Sequence, residues 1–173
     1  DPKDSYICAS VAEWKPGDWH HVVANWDYEK GTSLYVDGVL DGERECTWVP
    51  RSGLRFLVGK RQRNTEAAQA LLDELHIYAR PLTAGEVGLA HQGKLARTPV
   101  KGRALPEMGA AQARPAKLLF HLPFDGDCTA AQAGGGKSPT EQDRIEFRQG
   151  VLGQAAAFAD DARLTFPHAG NLR

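Results

Sequence analysis

Residues 14–40 read WKPGDWHHVVANWDYEKGTSLYVDGVL, and this stretch decides how the rest of the chain is interpreted. It holds three of the chain's four tryptophans and two adjacent histidines. Side chains across residues 19–26 alternate with a period of two, which is typical of a β-strand, and both faces of that strand are apolar. Asp37-Gly38 suits the type I′ turn that joins two antiparallel strands. The stretch therefore predicts an antiparallel meander, with its histidines and tryptophans mainly in the core.

Short strands separated by Gly, Pro, Asn and Asp turn signals continue along the chain. Their density predicts an all-β fold built as an antiparallel β-sandwich. One short helix is predicted to follow residue 78, because Thr83 and Glu86 have the spacing of a capping box and Gly93 is a natural stop. The predicted strands are 6–12, 19–26, 33–36, 39–43, 54–59, 71–78, 118–124, 144–148, 154–158 and 163–166.

The composition excludes some partners and names none. A formal net charge of −1 removes the general electrostatic argument for nucleic acid. No run approaches the ~18 apolar residues of a membrane span. Cys8, Cys46 and Cys128 are widely spaced and form no CxxC pair, and Cys8 can bridge Cys46 only if their strands are neighbours. Since the first residue is Asp1, we expect a piece of a longer protein with neighbouring domains on the same chain.

Residues 97–116 have the composition of a linker. Hydrophobic periodicity disappears there and Pro99, Pro106 and Pro115 recur. The chain is therefore predicted to divide into residues 1–96, a Pro/Ala/Gly-rich linker at 97–116, and residues 117–173.

The first of these parts resembles the second half of a laminin G-like, concanavalin A-like jelly-roll module. The resemblance runs through WKPGDWHHVVANWD, LRFLVGK and LLDELHIYARPLTAGEV. In the last of these, residues 71–87, the final sandwich strand, a proline turn and a short capped helix follow in the family's order. Residues 118–172, with LLFHLPFDGD and GVLGQAAAF, look like the first half of the same kind of module. The resemblance thus implies a C-terminal half, the tail, at 1–96 and an N-terminal half, the head, at 117–173.

This inverted order makes the jelly roll incomplete or permuted. Either the chain spans parts of two consecutive modules, or it is one permuted module whose head packs on its own tail. In the family's fold the first and last strands lie near each other. We therefore expect residues 118–124 to lie antiparallel beside residues 71–78, with Asp125 near Asp73.

The resemblance also implies a structural calcium ion near the first and last strands. Asp73 in the tail and Asp125 and Asp127 in the head are the matching acidic positions, and Ca²⁺ prefers carboxylate oxygens. The alternative is that residues 125–127 are simply a polar turn. Because such modules belong to secreted proteins, the resemblance further implies an extracellular or cell-envelope location.

Laminin G-like modules often bind glycans or protein partners, and tryptophan rings can stack on sugars. Trp14, Trp26 and Trp48 are the candidates for such contacts, although tryptophan is more often a core residue because of the large area it buries. His21 is predicted to be buried with its ring nitrogen hydrogen-bonded. His76, between apolar neighbours on a strand, receives the same interpretation.

Two enzymatic interpretations are weighed and set aside. Residues 131–138, AQAGGGKS, satisfy a loose phosphate-loop pattern, but Pro139 follows them and no βαβ unit is predicted, so we expect a flexible loop and no nucleotide. A glycosidase needs two carboxylates that face one cleft, whereas the pairs at 73–74 and 160–161 are adjacent and point apart.

We therefore predict no catalytic residue and a non-catalytic recognition module for a glycan or a protein. The alternative is an accessory domain of a carbohydrate-active or other hydrolytic enzyme whose catalytic part lies outside this chain.

Overall fold

The computed structural model describes residues 11–27, 29–45, 55–59, 68–95, 116–159 and 161–172. Within them the secondary structure is antiparallel strands and one short helix, which confirms the predicted all-β class. Contacts divide the chain into unit 1, Asp1–Pro50 with Arg80–Lys117, and unit 2, Arg51–Ala79 with Leu118–Arg173. Within the described part of the chain, no helix combines the length and the apolar character that a bilayer span requires.

Unit 1 contains the meander that the opening stretch predicts. Strands β1 (Val22–Asp27), β2 (Gly31–Val36) and β3 (Val39–Arg44) form an antiparallel sheet in chain order. Asp37 and Gly38 join β2 to β3 with φ angles of 51° and 84°, the positive values that a type I′ turn requires. β1 begins three residues later than the prediction.

The helix α1 (Ala84–His91) also belongs to unit 1, and its predicted capping box is present. Thr83 Oγ1 accepts a hydrogen bond from the Glu86 backbone, and the Glu86 carboxylate accepts one from the Thr83 N–H. The buried Asn25 in β1 binds the segment before the helix: its amide donates to the Leu82 carbonyl and accepts from the Leu82 N–H. These bonds fix the entry to α1 beside the sheet.

Unit 2 is built from strands of both sequence segments. β4 (Arg55–Val58) pairs with β12 (Arg163–Pro167), β5 (Ala70–Leu72) with β11 (Gln154–Phe158), and β6 (Leu75–Tyr78) with β7 (Leu118–Leu122), all antiparallel. The remaining strands extend these three sheets: β8 (Gln132–Ala133) beside β7, β9 (Glu141–Asp143) beside β12, and β10 (Glu146–Gln149) beside β11. The predicted pairing of residues 118–124 with residues 71–78 is thus found between β6 and β7.

The described residues of unit 2 share an apolar cluster. Phe56, Phe120 and Phe166, from β4, β7 and β12, contact one another with ring centroids 5.0 to 5.5 Å apart. Phe124 and Phe158 meet edge to face, and both are fully buried. Burying aromatic rings of this size supplies much of the driving force for folding.

The predicted strand 71–78 is two strands, which is a correction. Glu74 has a φ of 54°, a left-handed conformation that ends β5 at Leu72 and starts β6 in a different sheet. Such a bend is how a chain moves from one sheet to another.

Some predictions fall outside the described residues. These are most of the predicted strand 6–12, the pairing of Cys8 with Cys46, and most of the linker. The division at 96 and 117, and the choice between one permuted module and two modules, stay predictions.

Candidate functional site

The register of β6 against β7 places two histidines directly opposite each other. Leu75 faces Leu122 and Ile77 faces Phe120 on the side of the core, so the alternation of strand side chains turns His76 and His121 to the other side. Their rings stack with centroids 4.4 Å apart and planes inclined by 10°.

Glu74 completes this group. It lies two residues before His76, on the bend between β5 and β6. Its Oε2 atom is 3.0 Å from the Nε2 atom of His121 and 3.6 Å from that of His76. The three side chains are only 16% to 18% exposed. We call them the Glu74–His76–His121 cluster.

Among the residues that the structure describes, this cluster is the one set of three metal-ligating side chains with all ligand atoms within 4.8 Å of one another. Imidazole nitrogen and carboxylate oxygen together form a common ligand set for zinc and related ions.

Sequence reasoning missed the cluster. It treated His76 as an ordinary strand histidine and considered Glu74 only as a neighbour of Asp73. The signal was present in the Glu-x-His spacing, which puts both side chains on one face of a strand. Its third member comes from a strand 45 residues away, so it depends on the pairing of β6 with β7.

The carboxylates of Asp73 and Asp125 bind the same loop, between β10 and β11. Asp73 Oδ2 accepts hydrogen bonds from the Val151 and Leu152 N–H groups, and Asp125 Oδ1 accepts one from Gln154. Glycines permit this approach: a Cβ at position 150 would lie 2.7 Å from Asp73 Oδ2, and one at position 153 would lie 2.0 Å from Asp125 Oδ1. Both carboxylates therefore anchor residues 151–154, and the expected proximity of Asp73 and Asp125 to each other stays a prediction.

Asp127 bonds to its own turn: its Oδ1 accepts a hydrogen bond from the Thr129 N–H, two residues later, as in a polar turn. Among the described residues, Asp73, Asp125 and Asp127 do not form a group with ligand atoms within 4.8 Å. A cation would fit beside Asp73 Oδ1, which is buried and has no hydrogen-bond partner among the residues that the structure describes. The donor atoms suit Ca²⁺, and calcium at these positions stays a prediction.

The tryptophans of the opening stretch are exposed, so the expectation that they lie mainly in the core is wrong. Trp14 is 37% exposed, Trp19 41% and Trp26 59%. Trp48 lies outside the described residues. The alternation of side chains along a strand does not determine which face the fold covers. In unit 1, the face of β1 that carries Trp26 is exposed to solvent.

Trp14 belongs to a group with His20 and Asp37. Its ring stacks on the His20 ring with centroids 4.1 Å apart, and His20 Nδ1 is 2.8 Å from Asp37 Oδ2. Asp37 also accepts a hydrogen bond from the His21 N–H. The hydrogen bond from His20, followed by that from His21, lowers the pKa of Asp37. We call this the Trp14–His20–Asp37 group.

His21 differs from its prediction. It is half-buried, and its Nδ1 has no hydrogen-bond partner in the described structure. Burial, followed by the nearby His91 ring 5.7 Å away, lowers the pKa of His21. The neutral imidazole is therefore favoured at pH 7.

The glycine-rich segment has a structural explanation. Gly134 and Gly135 lie so close to the 169–170 backbone that a Cβ on either would come within 2.0 Å of a carbonyl oxygen. The fully buried Asn171 accepts a hydrogen bond from the Gly135 N–H and donates to the Gly136 carbonyl. Strand β9 follows, where a phosphate loop needs a helix N-terminus. The segment is anchored, which corrects the expected flexibility.

Comparison with protein families shows which superfamily the chain belongs to. The sequence profile described as the concanavalin A-like lectin/glucanases superfamily, of laminin G type, matches residues 2–88, half of the 173-residue chain. The chain belongs to this superfamily. No curated protein and no solved structure gives a significant match.

Membership confirms the predicted family and the antiparallel β-sandwich of concanavalin A-like type, while the resemblance of residues 118–172 to the first half of a module stays a prediction. The superfamily takes its description from both lectins and glucanases. Membership suggests a binding module and identifies no ligand. The matched range contains unit 1's sheet and most of its helix, together with the Glu74 and His76 side chains.

Proposed function

We propose that the chain is a non-catalytic recognition module that binds a carbohydrate. The observation that carries this proposal is the Trp14–His20–Asp37 group. It combines a partly exposed indole with a carboxylate that is 40% exposed. Apolar ring faces stack on the C–H surface of sugars, while carboxylate and imidazole groups bind hydroxyls.

The group is also held in place. Asp37 lies in the tight turn between β2 and β3, and its backbone N–H donates to the His21 carbonyl. The His20 ring is bound on one side by Asp37 and stacked on Trp14. A site with fixed rotamers loses less entropy when it binds a ligand.

A glycan array probed with the full chain, followed by titration calorimetry on the best ligand, tests the proposal. We expect Trp14→Ala to weaken binding at least tenfold, equal to ~1.4 kcal/mol. Trp26→Ala is the matched control, because Trp26 is an exposed tryptophan outside the group, and it should retain the affinity. Binding to no glycan, or equal affinity in Trp14→Ala, would contradict the proposal.

A protein partner is the second candidate, supported by the open face of the unit 1 sheet. Val22 and Trp26 lie on this face of β1, four residues apart. Val36 of β2 is the register partner of both Val22 and Val39, so it lies between them. Val22 is 49% exposed, Trp26 59% and Val39 69%. Exposed apolar clusters are typical of protein interfaces. Partner binding that Trp26→Ala abolishes and Trp14→Ala preserves would favour this candidate.

We also propose that the chain has no hydrolase activity. Asp73 and Glu74 contact different groups, the 151–152 loop and the two histidines, so they do not face each other across a cleft. Turnover of a polysaccharide that Glu74→Gln abolishes would refute this. An accessory domain of an enzyme remains the alternative role, and the neighbouring sequence would reveal the catalytic domain.

We also propose that Asp73 and Asp125 hold a structural calcium ion and that the protein is secreted. The buried and unpartnered Oδ1 of Asp73 supports the calcium site. We expect Ca²⁺ to raise the melting temperature of the chain and Asp73→Asn to remove that effect. An unchanged melting temperature would count against the ion.

A further inference from the structure

We propose that the Glu74–His76–His121 cluster binds a divalent transition-metal ion of the zinc type. Four ligands at about 2.1 Å from a tetrahedral zinc lie about 3.4 Å from one another. Glu74 Oε2 is 3.0 Å from one histidine nitrogen and 3.6 Å from the other, values that bracket this separation. Both nitrogens are Nε2 atoms directed at the same carboxylate oxygen.

The ligand chemistry selects the class of ion. Two imidazole nitrogens and one carboxylate oxygen suit Zn²⁺, Co²⁺, Ni²⁺ or Cu²⁺, whereas Ca²⁺ and Mg²⁺ take oxygen ligands. Three protein ligands leave one tetrahedral position for water or an added ligand. This site is distinct from the calcium site proposed at Asp73 and Asp125.

The backbone holds the three ligands close together. His76 and His121 are register partners on hydrogen-bonded strands, and Glu74 lies at the bend that starts β6. Because the two ring planes are nearly parallel, an ion in the plane of one imidazole lies outside the plane of the other, and the rings must rotate about their side-chain bonds to share one ion. The ion replaces the proton between His121 and Glu74, since ligating nitrogens must be unprotonated.

Occupation of the site has a structural consequence. Glu74 and His76 come from the first sequence segment and His121 from the second, so one ion ties β6 to β7. An ion that binds only the folded chain stabilises it by mass action.

Calorimetric titration of the metal-free full chain with Zn²⁺, without a polyhistidine tag, tests the proposal. We expect one ion per chain with a Kd of 10 μM or tighter, and a Co²⁺ adduct with the intense visible absorption of a tetrahedral site. His121→Ala and Glu74→Gln should each weaken Zn²⁺ binding at least tenfold. The double variant His91→Gln/His168→Gln changes histidines outside the cluster and outside the Trp14–His20–Asp37 group, and it should bind Zn²⁺ as the unmodified chain does.

Imidazole ¹⁵N spectra of the unmodified chain provide a measurement that does not depend on the folding of a variant. Zn²⁺ should shift the Nε2 resonances of both His76 and His121. Shifts confined to other histidines, binding weaker than 100 μM, or unchanged affinity in both cluster variants would overturn the proposal. In that case the cluster is a hydrogen-bonded group only.

Discussion

Glu86 makes two sets of bonds at the start of α1. Its carboxylate completes the capping box with Thr83 and also pairs with both terminal nitrogens of Arg80, at 2.6 and 2.8 Å. The hydrogen bond from Arg80 is the main cause that lowers the pKa of Glu86 to about 2, against a usual value of 4.5. The ionised form is therefore the one that the fold stabilises.

This linkage gives a pH-dependent prediction. Because the folded pKa is below the unfolded value, the stabilisation is fully present above pH 4.5 and is lost as the pH falls towards 2. Glu86→Gln should lower the free energy of unfolding by about 1–2 kcal/mol at pH 7 and by almost nothing near pH 2. Urea unfolding followed by circular dichroism measures both values.

Glu146→Gln is the matched control, since Glu146 pairs with Arg148 at the surface and both side chains are more than 60% exposed. Exposed pairs of this kind contribute little, so the control should change stability by less than about 0.5 kcal/mol. An equal loss for both variants at pH 7 would contradict the role of Glu86.

At the level of elements, turns and helix caps that a few neighbouring residues specify could be predicted from the sequence. The Asp37-Gly38 turn and the Thr83 capping box are each specified within four residues, and both are present as predicted. The break at Glu74 and the short strands β8 and β9 depend on partners distant in sequence, and they were missed. Exposure of Trp26 was missed because the alternation of a strand does not reveal which face is covered. Trp14 precedes β1, so alternation gives no information about its burial.

The metal-ligating cluster shows how far sequence reasoning could have gone. Antiparallel pairing of residues 118–124 with residues 71–78 was predicted, and one register of that pairing puts His76 opposite His121. Glu74 lies two residues before His76, but its left-handed backbone on the bend, which the sequence did not predict, is what directs its carboxylate. What the sequence did not provide was the choice of that register, which the Leu75, Ile77, Phe120 and Leu122 core contacts determine.

The glycine-rich loop gives a prediction at the scale of elements. Asn171→Ala would remove the buried amide that binds the Gly135 N–H and the Gly136 and Pro167 carbonyls. We expect a loss of about 1–2 kcal/mol in the free energy of unfolding, because three hydrogen bonds are lost and water can replace only some of them. Urea denaturation measures it.

Lys137→Ala is the control for that loop, because its exposed amino group makes only a 3.3 Å contact with the Ala131 carbonyl. Stability should stay within about 0.5 kcal/mol of the unmodified chain. ATP should bind neither protein. Micromolar ATP affinity that Lys137→Ala removes would show that the loop does bind phosphate.

For the whole molecule, the central claim is that residues 51–79 and 118–173 fold as one β-unit. Each of β4, β5 and β6 pairs with a strand of the second segment, and the aromatic core draws on both. Neither segment has that core alone. A head of about 55 residues is short for an independent domain, which buries too little apolar surface at that size.

Spin labels at positions 70 and 146 test this claim most directly. Ala70 and Glu146 are exposed and lie on β5 and β10, the two strands that flank β11. Two strand spacings put their Cα atoms about 10 Å apart. In a chain whose three cysteines are replaced, we predict a narrow distance distribution below about 25 Å that persists on dilution with unlabelled chain. A broad distribution centred beyond about 35 Å, as expected for segments joined only by a flexible linker, would contradict the account.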